Sequence, residues 1–332
     1  MNHSSPIKKV TVGVVIIGRN EGDRLINCLH SLQQYMPNAV YVDSASTDNS
    51  KEAAAAIGAH VVVLDMSQPF TAARARNVGF ACLLAFNPRI EWVQFIDGDC
   101  VIDALWLNKA LDFLQDQPEF AVVCGRRKEL FPNKSIYNQL CDLEWNTPIG
   151  QAKACGGDAL MRADVFSLVG GFRESLIAGE EPELCVRIRQ SGYKIWRLDA
   201  DMTYHDAAIY HFSQWWKRTL RGGYAFAEGA SLHGGAPEFH WAAETKRAWL
   251  WAGIIPLAVI VAFLFKPAFG WLLLLVYPLQ ILKLVLNSPL QFKLAFYQAC
   301  FLIIAKFAEL QGQIKFLIQR YRNQQGSIIE YK

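Results

Sequence analysis

The chain has 332 residues, of which 52% are hydrophobic, and a formal net charge of +3. This length exceeds one minimal domain and allows a catalytic domain with a further region. The small net charge, without a concentrated basic patch, argues against nucleic-acid binding and fits contact with anionic lipid or phosphate. The eight cysteines include no CxxC pair, so we expect reduced thiols in a cytosolic compartment. The first ten residues lack the apolar stretch of a secretory signal, which also predicts that the catalytic part stays inside the cell.

Apolar β-branched segments alternate with helical patterns along the first hundred residues. The predicted strands are Val10–Ile17, Ala39–Asp43, His60–Leu64 and Trp92–Ile96, and the predicted helices are Arg24–Tyr35, Ser50–Ile57 and Thr71–Ala85. This alternation is typical of βαβ units around a parallel sheet. We therefore expect an α/β fold with a Rossmann-like, mostly parallel sheet.

Polar residues follow three of these predicted strands. Asn20, Asp43 and Asp97 all fall at carboxyl ends, where open α/β sheets bind their ligands. Any one of these residues alone is better explained as a helix cap or a turn residue. Together they predict one ligand site at this edge of the sheet.

The triplet Asp97-Gly98-Asp99 predicts a metal site. Two carboxylates supply the hard oxygen ligands that Mg²⁺ or Mn²⁺ prefers, and Gly98 allows close approach of the backbone to a ligand. Such triplets also form tight turns between strands. The position of this triplet directly after the apolar strand WVQFI favours the metal site. A divalent ion bound there would stabilise a departing diphosphate.

Several ordered motifs resemble those of the family 2 glycosyltransferases, which have the GT-A fold. The resemblance spans roughly residues 10–221, and the motifs are Ile17-Gly18-Arg19-Asn20-Glu21, Val42-Asp43-Ser44-Ala45-Ser46-Thr47-Asp48, Arg74-Ala75-Arg76-Asn77-Val78-Gly79, Asp97-Gly98-Asp99, Gly156-Gly157-Asp158, Gly170-Gly171-Phe172 and Gly179-Glu180-Glu181-Pro182-Glu183. A Gly-rich phosphate loop after the first strand is missing, which argues against a dinucleotide oxidoreductase or a nucleotidyltransferase.

The resemblance implies roles for individual residues. Donor-binding residues would be Asn20, Glu21, Asp43, Ser46, Asp48, Arg74, Asn77, Asp97, Gly98 and Asp158, and the Mg²⁺ or Mn²⁺ ligands would be Asp99, Asp97 and His205. Asp158 follows a Gly-Gly pair and is equally well explained as a turn residue. A lone histidine is more often structural than metal-binding, so for His205 both roles stay open.

The pair Glu180-Glu181 departs from the family pattern, which commonly has Glu-Asp with the aspartate as catalytic base. The resemblance places Glu181 at the position of the base, with Glu180 beside it, and implies a single in-line displacement that inverts the anomeric carbon. Acidic residues and Pro182 also suit the first turn of a predicted helix, Glu181–Gln190.

The C-terminal third is apolar enough for a membrane. Residues 248–265 form a charge-free run of about 27 Å as a helix, and residues 267–290 form a second run with Lys283 inside it. Residues 294–322 combine apolar and basic positions at helical spacing, which predicts an interfacial helix. We thus expect a catalytic domain at 1–246 and a membrane-associated region at 247–332, the alternative being a buried helical hairpin of a soluble oligomer.

The charges around the apolar runs predict an orientation. Basic residues lie on both sides of the predicted hairpin, at Arg218, Arg221, Lys246, Arg247, Lys315, Arg320 and Arg322. Such residues favour the cytoplasmic side, so we expect an inner-membrane protein whose catalytic domain faces the cytoplasm. The predicted activity is metal-dependent transfer of a hexosyl-type sugar from a nucleotide-diphosphate donor to a glycan or lipid-linked acceptor in polysaccharide biosynthesis. The alternatives are a polyprenyl-phosphate glycosyltransferase and a non-catalytic membrane scaffold.

Overall fold

The computed structural model describes residues 11–115, 117–324, 326 and 329. The chain divides into two compact units: the first contains Met1–Leu176 and Glu180–Ala208, and the second contains Ile177–Gly179 and Ile209–Lys332. Val10, where the first strand was predicted to begin, lies outside the described residues.

The first unit is built on one nine-stranded sheet. Its strands are β1 (Val12–Gly18), β2 (Ala39–Asp43), β3 (His60–Val63), β4 (Trp92–Asp97), β5 (Cys100–Ile102), β6 (Phe120–Glu129), β7 (Gly150–Ala152), β8 (Ala159–Arg162) and β9 (Lys194–His205). The strand order is β3-β2-β1-β4-β8-β6-β9-β5, and β7 pairs with β9 outside this path. The strands β3, β2, β1 and β4 are parallel, as predicted. The other half is mixed, because β8 runs antiparallel to both β4 and β6 while β6 and β9 are parallel.

Seven helices of the first unit lie within the described residues. They are α1 (Asp23–Ser31), α2 (Ser50–Ile57), α3 (Ala72–Phe86), α4 (Trp106–Gln115), α5 (Ile136–Trp145), α6 (Ala163–Leu168) and α7 (Glu180–Gln190). The helix predicted at Arg24–Tyr35 stops at Ser31, and a 3₁₀ segment that contains Pro37 follows it. The hydroxyl of Thr71 caps α3 by accepting a hydrogen bond from the backbone N–H of Arg74.

The sheet register brings the predicted polar clusters together. Gly18 pairs with Asp43 across β1 and β2, and Ile17 pairs with Asp97 across β1 and β4. The three strand ends therefore meet at one edge. Strand β8 then pairs Ala159 with Phe95, so the preceding residue, Asp158, lies beside the end of β4.

Strand β9 is longer than the sequence predicted. Its twelve residues, Lys194–His205, contact three other strands, whereas the apolar pattern indicated only Ile195–Leu198. The extension carries His205 to a position opposite Cys100 of β5. Residues 194–198 of β9 alternate between more exposed and buried side chains, as expected for a strand with one face in the core, and the alternation breaks further along the strand.

The second unit is helical. Its helices are α8 (Phe212–His233), α9 (Ala242–Trp249), α10 (Ile255–Phe265), α11 (Pro267–Leu274), α12 (Val276–Leu286) and α13 (Phe292–Tyr321). A π-helical segment, Leu250–Ile254, joins α9 to α10. The compact units divide after Ala208, because α8 packs along α13 within the helical unit, and the catalytic-domain boundary at residue 246 stays a prediction. A Cβ on Gly223 would overlap the backbone of Glu309, and one on Gly312 would overlap that of Leu220, so the two helices lie in close contact.

Three helical segments of the second unit are long and apolar enough to cross a membrane. They are Ala242–Phe265, Pro267–Leu286 and Phe292–Tyr321, with mean hydropathies of 2.3, 1.9 and 1.3. The first includes the run predicted at 248–265, and the second covers residues 267–286 of the run predicted at 267–290. Lys266 has an extended backbone and separates them. Length and composition alone thus allow three spans among the described residues.

Candidate active site

The loops after β1 and β2 are joined by hydrogen bonds. Asn20, whose φ is 56°, accepts the backbone N–H of Thr47 on its side-chain oxygen across 2.7 Å. Its own backbone N–H donates to the hydroxyl of Ser46 across 2.9 Å. Asparagine tolerates this left-handed conformation better than most residues. The predicted residues Asn20 and Ser46 therefore hold the loops after β1 and β2 together.

Two aspartates of the second loop bind backbone N–H groups. Asp43 Oδ2 accepts the N–H of Ser46 at 2.9 Å, and Asp48 Oδ2 accepts the N–H of Gly22 at 3.1 Å. The carboxylate of Asp43 is fully buried and also accepts the hydroxyl of Tyr41. Glu21 forms an ion pair with Arg24 at 2.8 Å. These contacts organise the two loops into a preformed wall at the ends of β1 and β2.

Gly98 lies where the backbone approaches β1 closely. Its N–H donates to the carbonyl of Ile17 at 2.8 Å. A Cβ at this position would lie 3.1 Å from that carbonyl oxygen and 3.3 Å from a methyl group of Leu25. A glycine is thus the residue that fits between the two aspartates.

Arg76 connects the metal triplet to helix α7. Its Nη2 donates to Asp97 Oδ1 at 2.7 Å, and its Nη1 donates to Glu180 Oε1 at 2.7 Å. The Arg76 side chain is 3% exposed, and its guanidinium lies 5.5 Å from the ring centroid of Phe172. Asp97 and Glu180 come from distant segments and meet only through this buried cation.

Arg127 forms a second bridge, between Asp97 and Asp158. Its Nη2 lies 2.6 Å from Asp158 Oδ2 and 3.3 Å from Asp97 Oδ2. Asp158 is fully buried, accepts the backbone N–H of Asp97, and accepts the hydroxyl of Thr203 at 2.7 Å. Asp158 therefore belongs to the carboxylate cluster and is more than a turn residue.

The charges around Asp97 keep it ionised. Burial raises the pKa of this carboxyl, but the guanidinium groups of Arg76 and Arg127 outweigh it, so the pKa is lowered. Burial lowers the pKa of Arg127, and the carboxylates of Asp158 and Asp97 raise it well above its ordinary value. The cluster thus carries fixed charges of both signs at neutral pH.

Asp99 and His205 form the part of the site that fits a metal ion. His205 Nε2 lies 3.2 Å from Asp99 Oδ2, and the two side chains are 8% and 9% exposed. Within the part of the chain that the structure describes, the buried Nδ1 of His205 has no hydrogen-bond partner. Asp99, Cys100 and His205 also place one potential ligand atom each within 4.8 Å of one another. Carboxylate oxygen and imidazole nitrogen suit Mn²⁺, and carboxylates suit Mg²⁺. Asp97, the third predicted ligand, belongs to the triplet Asp97-Gly98-Asp99.

Two predicted donor-binding residues contact other loops. Arg74 donates to the carbonyls of Gln68 and Pro69 at 2.8 Å each. Asn77 accepts the N–H of Phe172 at 2.9 Å and donates to its carbonyl at 2.8 Å. These contacts position the loops that flank α3. Donor binding by Arg74 and Asn77 stays a prediction.

Glu181 points away from Glu180 and into a pocket of thiols. Its Oε1 accepts the backbone N–H of Cys155 at 2.6 Å and lies 3.0 Å from the Sγ atoms of Cys155 and Cys185. Glu181 is 6% exposed. The two acidic residues predicted to share one role therefore have different surroundings, and the one that joins the Asp97 cluster is Glu180.

Sequence reasoning quoted Arg76 within a motif but gave it no role, and it missed five other members of the site: Cys100, Arg127, Cys155, Cys185 and Thr203. Arg127 comes two residues after the apolar stretch VVCG and lies within β6, which continues to Glu129, so strand-end position, the signal that found Asp97, did not single it out. Thr203 and the cysteines carry no such signal, because their places depend on strand pairing between distant segments.

The sheet order and the strand-end carboxylates define a GT-A glycosyltransferase fold. Among solved structures, the chain is similar to the mannosyltransferase PcManGT from Pyrobaculum calidifontis, in complex with GDP-Man and Mn²⁺, with a TM-score of 0.63, 18% identity, and coverage of 92% of this chain and 86% of that one. It is also similar to residues 1–349 of TarS from S. aureus, with a TM-score of 0.51, 15% identity, and coverage of 95% and 92%. At these identities the likeness concerns the fold.

The chain carries a glycosyl transferase family 2 domain, whose model matches residues 13–177. Among curated relatives it is 25% identical over 170 residues to the O-antigen chain rhamnosyltransferase WbaN of Salmonella anatum, covering 47% of this chain and 52% of that protein. It is 26% identical over 208 residues to the pre-mycofactocin glycosyltransferase of Mycobacterium tuberculosis, covering 59% and 42%. The chain thus spans about half the length of these relatives. Glu180 and Glu181 lie just beyond the family match.

Proposed function

We propose that this protein is a metal-dependent glycosyltransferase that moves a sugar from a nucleotide-diphosphate donor to a glycan or lipid-linked acceptor. The observation that carries the proposal is the cluster at the strand ends, where Asp97, Asp99 and His205 lie beside the buried pair Arg127 and Asp158. The relatives named above act in sugar transfer, and the solved mannosyltransferase holds a nucleotide sugar with Mn²⁺. These likenesses support the same class of reaction here.

The joined loops after β1 and β2 would receive the nucleoside part of the donor. Asp43 and Asp48 already bind backbone N–H groups, which fixes the loops before a ligand arrives. A wall that does not need ordering on binding loses less conformational entropy. Asn20 and Ser46 would contribute by holding this wall in shape.

Asp97, Asp99 and His205 would hold a Mg²⁺ or Mn²⁺ ion. When bound, the ion supplies Lewis-acid stabilisation to the departing nucleoside diphosphate. Arg76 and Arg127 have a separate task, since they keep Asp97 ionised and oriented. Thr203 and Arg127 fix Asp158 so that it closes the opposite side of the cluster.

Glu180 is the carboxylate that we favour as proton acceptor, in preference to the predicted Glu181. Glu180 lies in the Asp97 cluster through Arg76, whereas Glu181 Oε1 is surrounded by donors from Cys155 and Cys185. A base must lie within reach of the acceptor hydroxyl, so geometry decides between two adjacent carboxylates. In-line attack by that hydroxyl would invert the anomeric carbon.

The helical unit would attach the chain to a membrane. Its exposed side chains are unusually apolar: Leu257, Phe265, Trp271, Leu272 and Leu286 are 62–85% exposed. A surface of this kind is stable in lipid and costly in water. Arg247 lies at the start of the first run, which favours a cytoplasmic start for the hairpin. We thus propose an inner-membrane protein with a cytoplasmic catalytic unit.

We propose that the runs 248–265 and 267–290 form the membrane hairpin and that α13 lies at the interface. The middle of α13 contains the ion pair Lys306–Glu309, at 2.7 Å, and the fully buried Gln313. An ion pair and a buried amide at mid-helix are costly in a bilayer centre but suit a helix packed against protein at the headgroup level.

The test is release of nucleoside diphosphate by detergent-purified full-length protein from a panel of UDP-, GDP- and dTDP-sugars, with and without Mn²⁺. Each donor is offered with lipid-linked oligosaccharide, with polyprenyl phosphate, or alone. Metal-dependent turnover of one donor supports the proposal, and the productive acceptor separates glycan extension from lipid-phosphate glycosylation. If the protein shows no turnover and no metal-dependent nucleotide binding, the catalytic proposal fails and a membrane scaffold of transferase descent remains.

A further inference from the structure

A second group of metal-ligand residues lies in the first unit, apart from Asp99 and His205. Cys155, Glu181 and Cys185 each offer one ligand atom, and these atoms lie within 4.8 Å of one another. Cys155 is 8% exposed, Glu181 is 6% exposed and Cys185 is fully buried. The group contains two thiols, which the transfer reaction does not use.

The distances within the group match a tetrahedral thiolate site. The Sγ atoms of Cys155 and Cys185 are 3.6 Å apart. Two sulfur ligands of a tetrahedral Zn²⁺, each at about 2.3 Å, would be about 3.8 Å apart. The carboxylate Oε1 of Glu181 lies 3.0 Å from each sulfur, so a small outward movement of this oxygen would open room for the ion.

We propose that Cys155, Cys185 and Glu181 form a binding site for a thiophilic divalent cation such as Zn²⁺, with water as the fourth ligand. Soft thiolates select such ions, whereas the oxygen-rich Asp97 and Asp99 suit Mg²⁺ or Mn²⁺. The chain would then hold two different metals in two chemically distinct sites.

Both thiols lie within hydrogen-bonding distance of the Glu181 carboxylate, with each Sγ 3.0 Å from Oε1. Binding would form two metal–sulfur bonds and one metal–oxygen bond and would release two thiol protons to solvent. No oxidation or reduction occurs. The affinity should therefore rise with pH.

The ion has a route of entry. Cys155 lies in the loop between β7 and β8, where Lys153 and Ala154 are exposed and Gly156 has a φ of 83°. This loop contains no regular secondary structure among residues 153–158, and its contacts with α7 are made by Glu181 and Cys185 to Cys155 and by Arg189 to the Lys153 carbonyl. Local opening of the loop would expose both sulfurs.

The site would join the two segments that carry Asp158 and Glu180. Cys155 precedes Asp158 by three residues, and Glu181 directly follows Glu180. A bound cation would fix the loop to the first turn of α7. Its role is that of a structural clamp on Asp158 and Glu180, and it takes no part in the transfer itself.

The experiment is titration of chelator-treated, reduced full-length protein with Cd²⁺, followed by ultraviolet thiolate-to-metal absorption and by proton release. We expect one Cd²⁺ with two released protons. Cys155→Ser and Cys185→Ser should each lose the absorption, with affinity falling by more than about 100-fold. Glu181→Gln should bind more weakly and keep the absorption. Cys141→Ser, which removes a buried thiol elsewhere in the first unit, and Asp99→Asn should both retain the site.

The outcomes separate this site from the transferase proposal, because absorption requires no sugar donor. Absorption that persists in folded Cys155→Ser and Cys185→Ser proteins would overturn the proposal, as would its loss in Cys141→Ser. Reduced, folded wild-type protein that gives no thiolate absorption would also overturn it. Melting temperature identifies any variant that fails to fold. If the cysteine variants do not fold, Glu181→Gln, which keeps both thiols, provides the test: weaker Cd²⁺ binding supports the site, and unchanged binding contradicts it.

Discussion

Arg76 Nη1 and Glu180 Oε1 form a 2.7 Å hydrogen bond between residues that are 104 positions apart in the chain. The bond orients the first carboxylate of α7 toward the strand ends. It also separates Glu180 from its neighbour Glu181, which points to Cys155 and Cys185.

Exchanging the two glutamates for glutamine separates their roles. We expect Glu180→Gln to lower kcat by about 100-fold or more, because proton acceptance contributes 10²–10⁴ to such reactions. Glu181→Gln should retain most of the turnover, since it keeps its shape in the thiol pocket. The measurement is initial-rate release of nucleoside diphosphate. The reverse order of effects would assign the base to Glu181.

Removing Asp99 should abolish the metal dependence of the reaction. Asp99→Asn removes an anionic oxygen next to His205, and Lewis-acid stabilisation is worth several kcal/mol, so we expect turnover to fall by about 100-fold or more. The exposed Asp112 on α4 supplies the matched control, Asp112→Asn, which should behave as wild type. Mn²⁺ titration of the rate checks both variants. Unchanged Mn²⁺ dependence in Asp99→Asn would rule out this metal site.

Acid should weaken the first unit through Asp97. Its pKa is lowered in the folded protein, so its ionised form contributes stability above the unfolded pKa of about 3.9, and this contribution is lost as pH falls through the folded value. Asp97→Asn should therefore be less stable than wild type at neutral pH. The difference in melting temperature, measured in chelator, should shrink below about pH 4. A difference that is constant from pH 7 to pH 3 would contradict this linkage.

A substitution of Asn77 tests whether this residue has a structural role or binds the donor. Asn77→Ala removes both partners of the Phe172 backbone, which should lower the free energy of unfolding by about 1–3 kcal/mol. We expect KM for the donor to stay unchanged, because the side-chain amide of Asn77 is already bound to the backbone of Phe172. Asn108→Ala, on the exposed face of α4, is the control for stability. A raised donor KM at unchanged stability would support the predicted donor contact.

Adjacent glycines of α8 test the packing of the helical unit. Gly223→Ala should lower the melting temperature, since its Cβ would overlap the backbone of Glu309, and overpacking costs about 1–3 kcal/mol. Gly222→Ala is the matched control, because no atom lies within 4 Å of a Cβ at that position. Alanine in an open helical position is neutral or stabilising. Equal effects of the two changes would mean that α8 and α13 are not in close contact.

The sequence predicted the parallel half of the sheet and the residues at its edge. Asn20, Asp43 and Asp97 follow strands whose apolar pattern is local, so their convergence could be inferred from strand-end positions alone. Asp158 depends on β8 pairing antiparallel to β4, and Arg127 depends on β6 pairing beside β8. Nothing in local periodicity encodes such pairings.

The orientation of Glu180 and Glu181 could not be predicted for a different reason. Consecutive residues of an α-helix point about 100° apart, so one of the two must turn away from any given site. Which one does so depends on the partners that the fold supplies. Here Arg76 binds Glu180, and the thiols of Cys155 and Cys185 contact Glu181; these partners come from three different segments.

A single strand carries the partners of both halves of the active site. Thr203 binds Asp158 and His205 lies against Asp99, and these two residues of β9 are two positions apart on the same face. Such residues are separated by about 6.6 Å, a spacing that the extended backbone holds almost constant. The distance between the partner of Asp158 and the partner of Asp99 is therefore set by the geometry of one peptide segment. Insertion of one residue before Thr203 would turn both side chains to the other face at once, so evolution can alter the pocket around this spacing far more easily than the spacing itself.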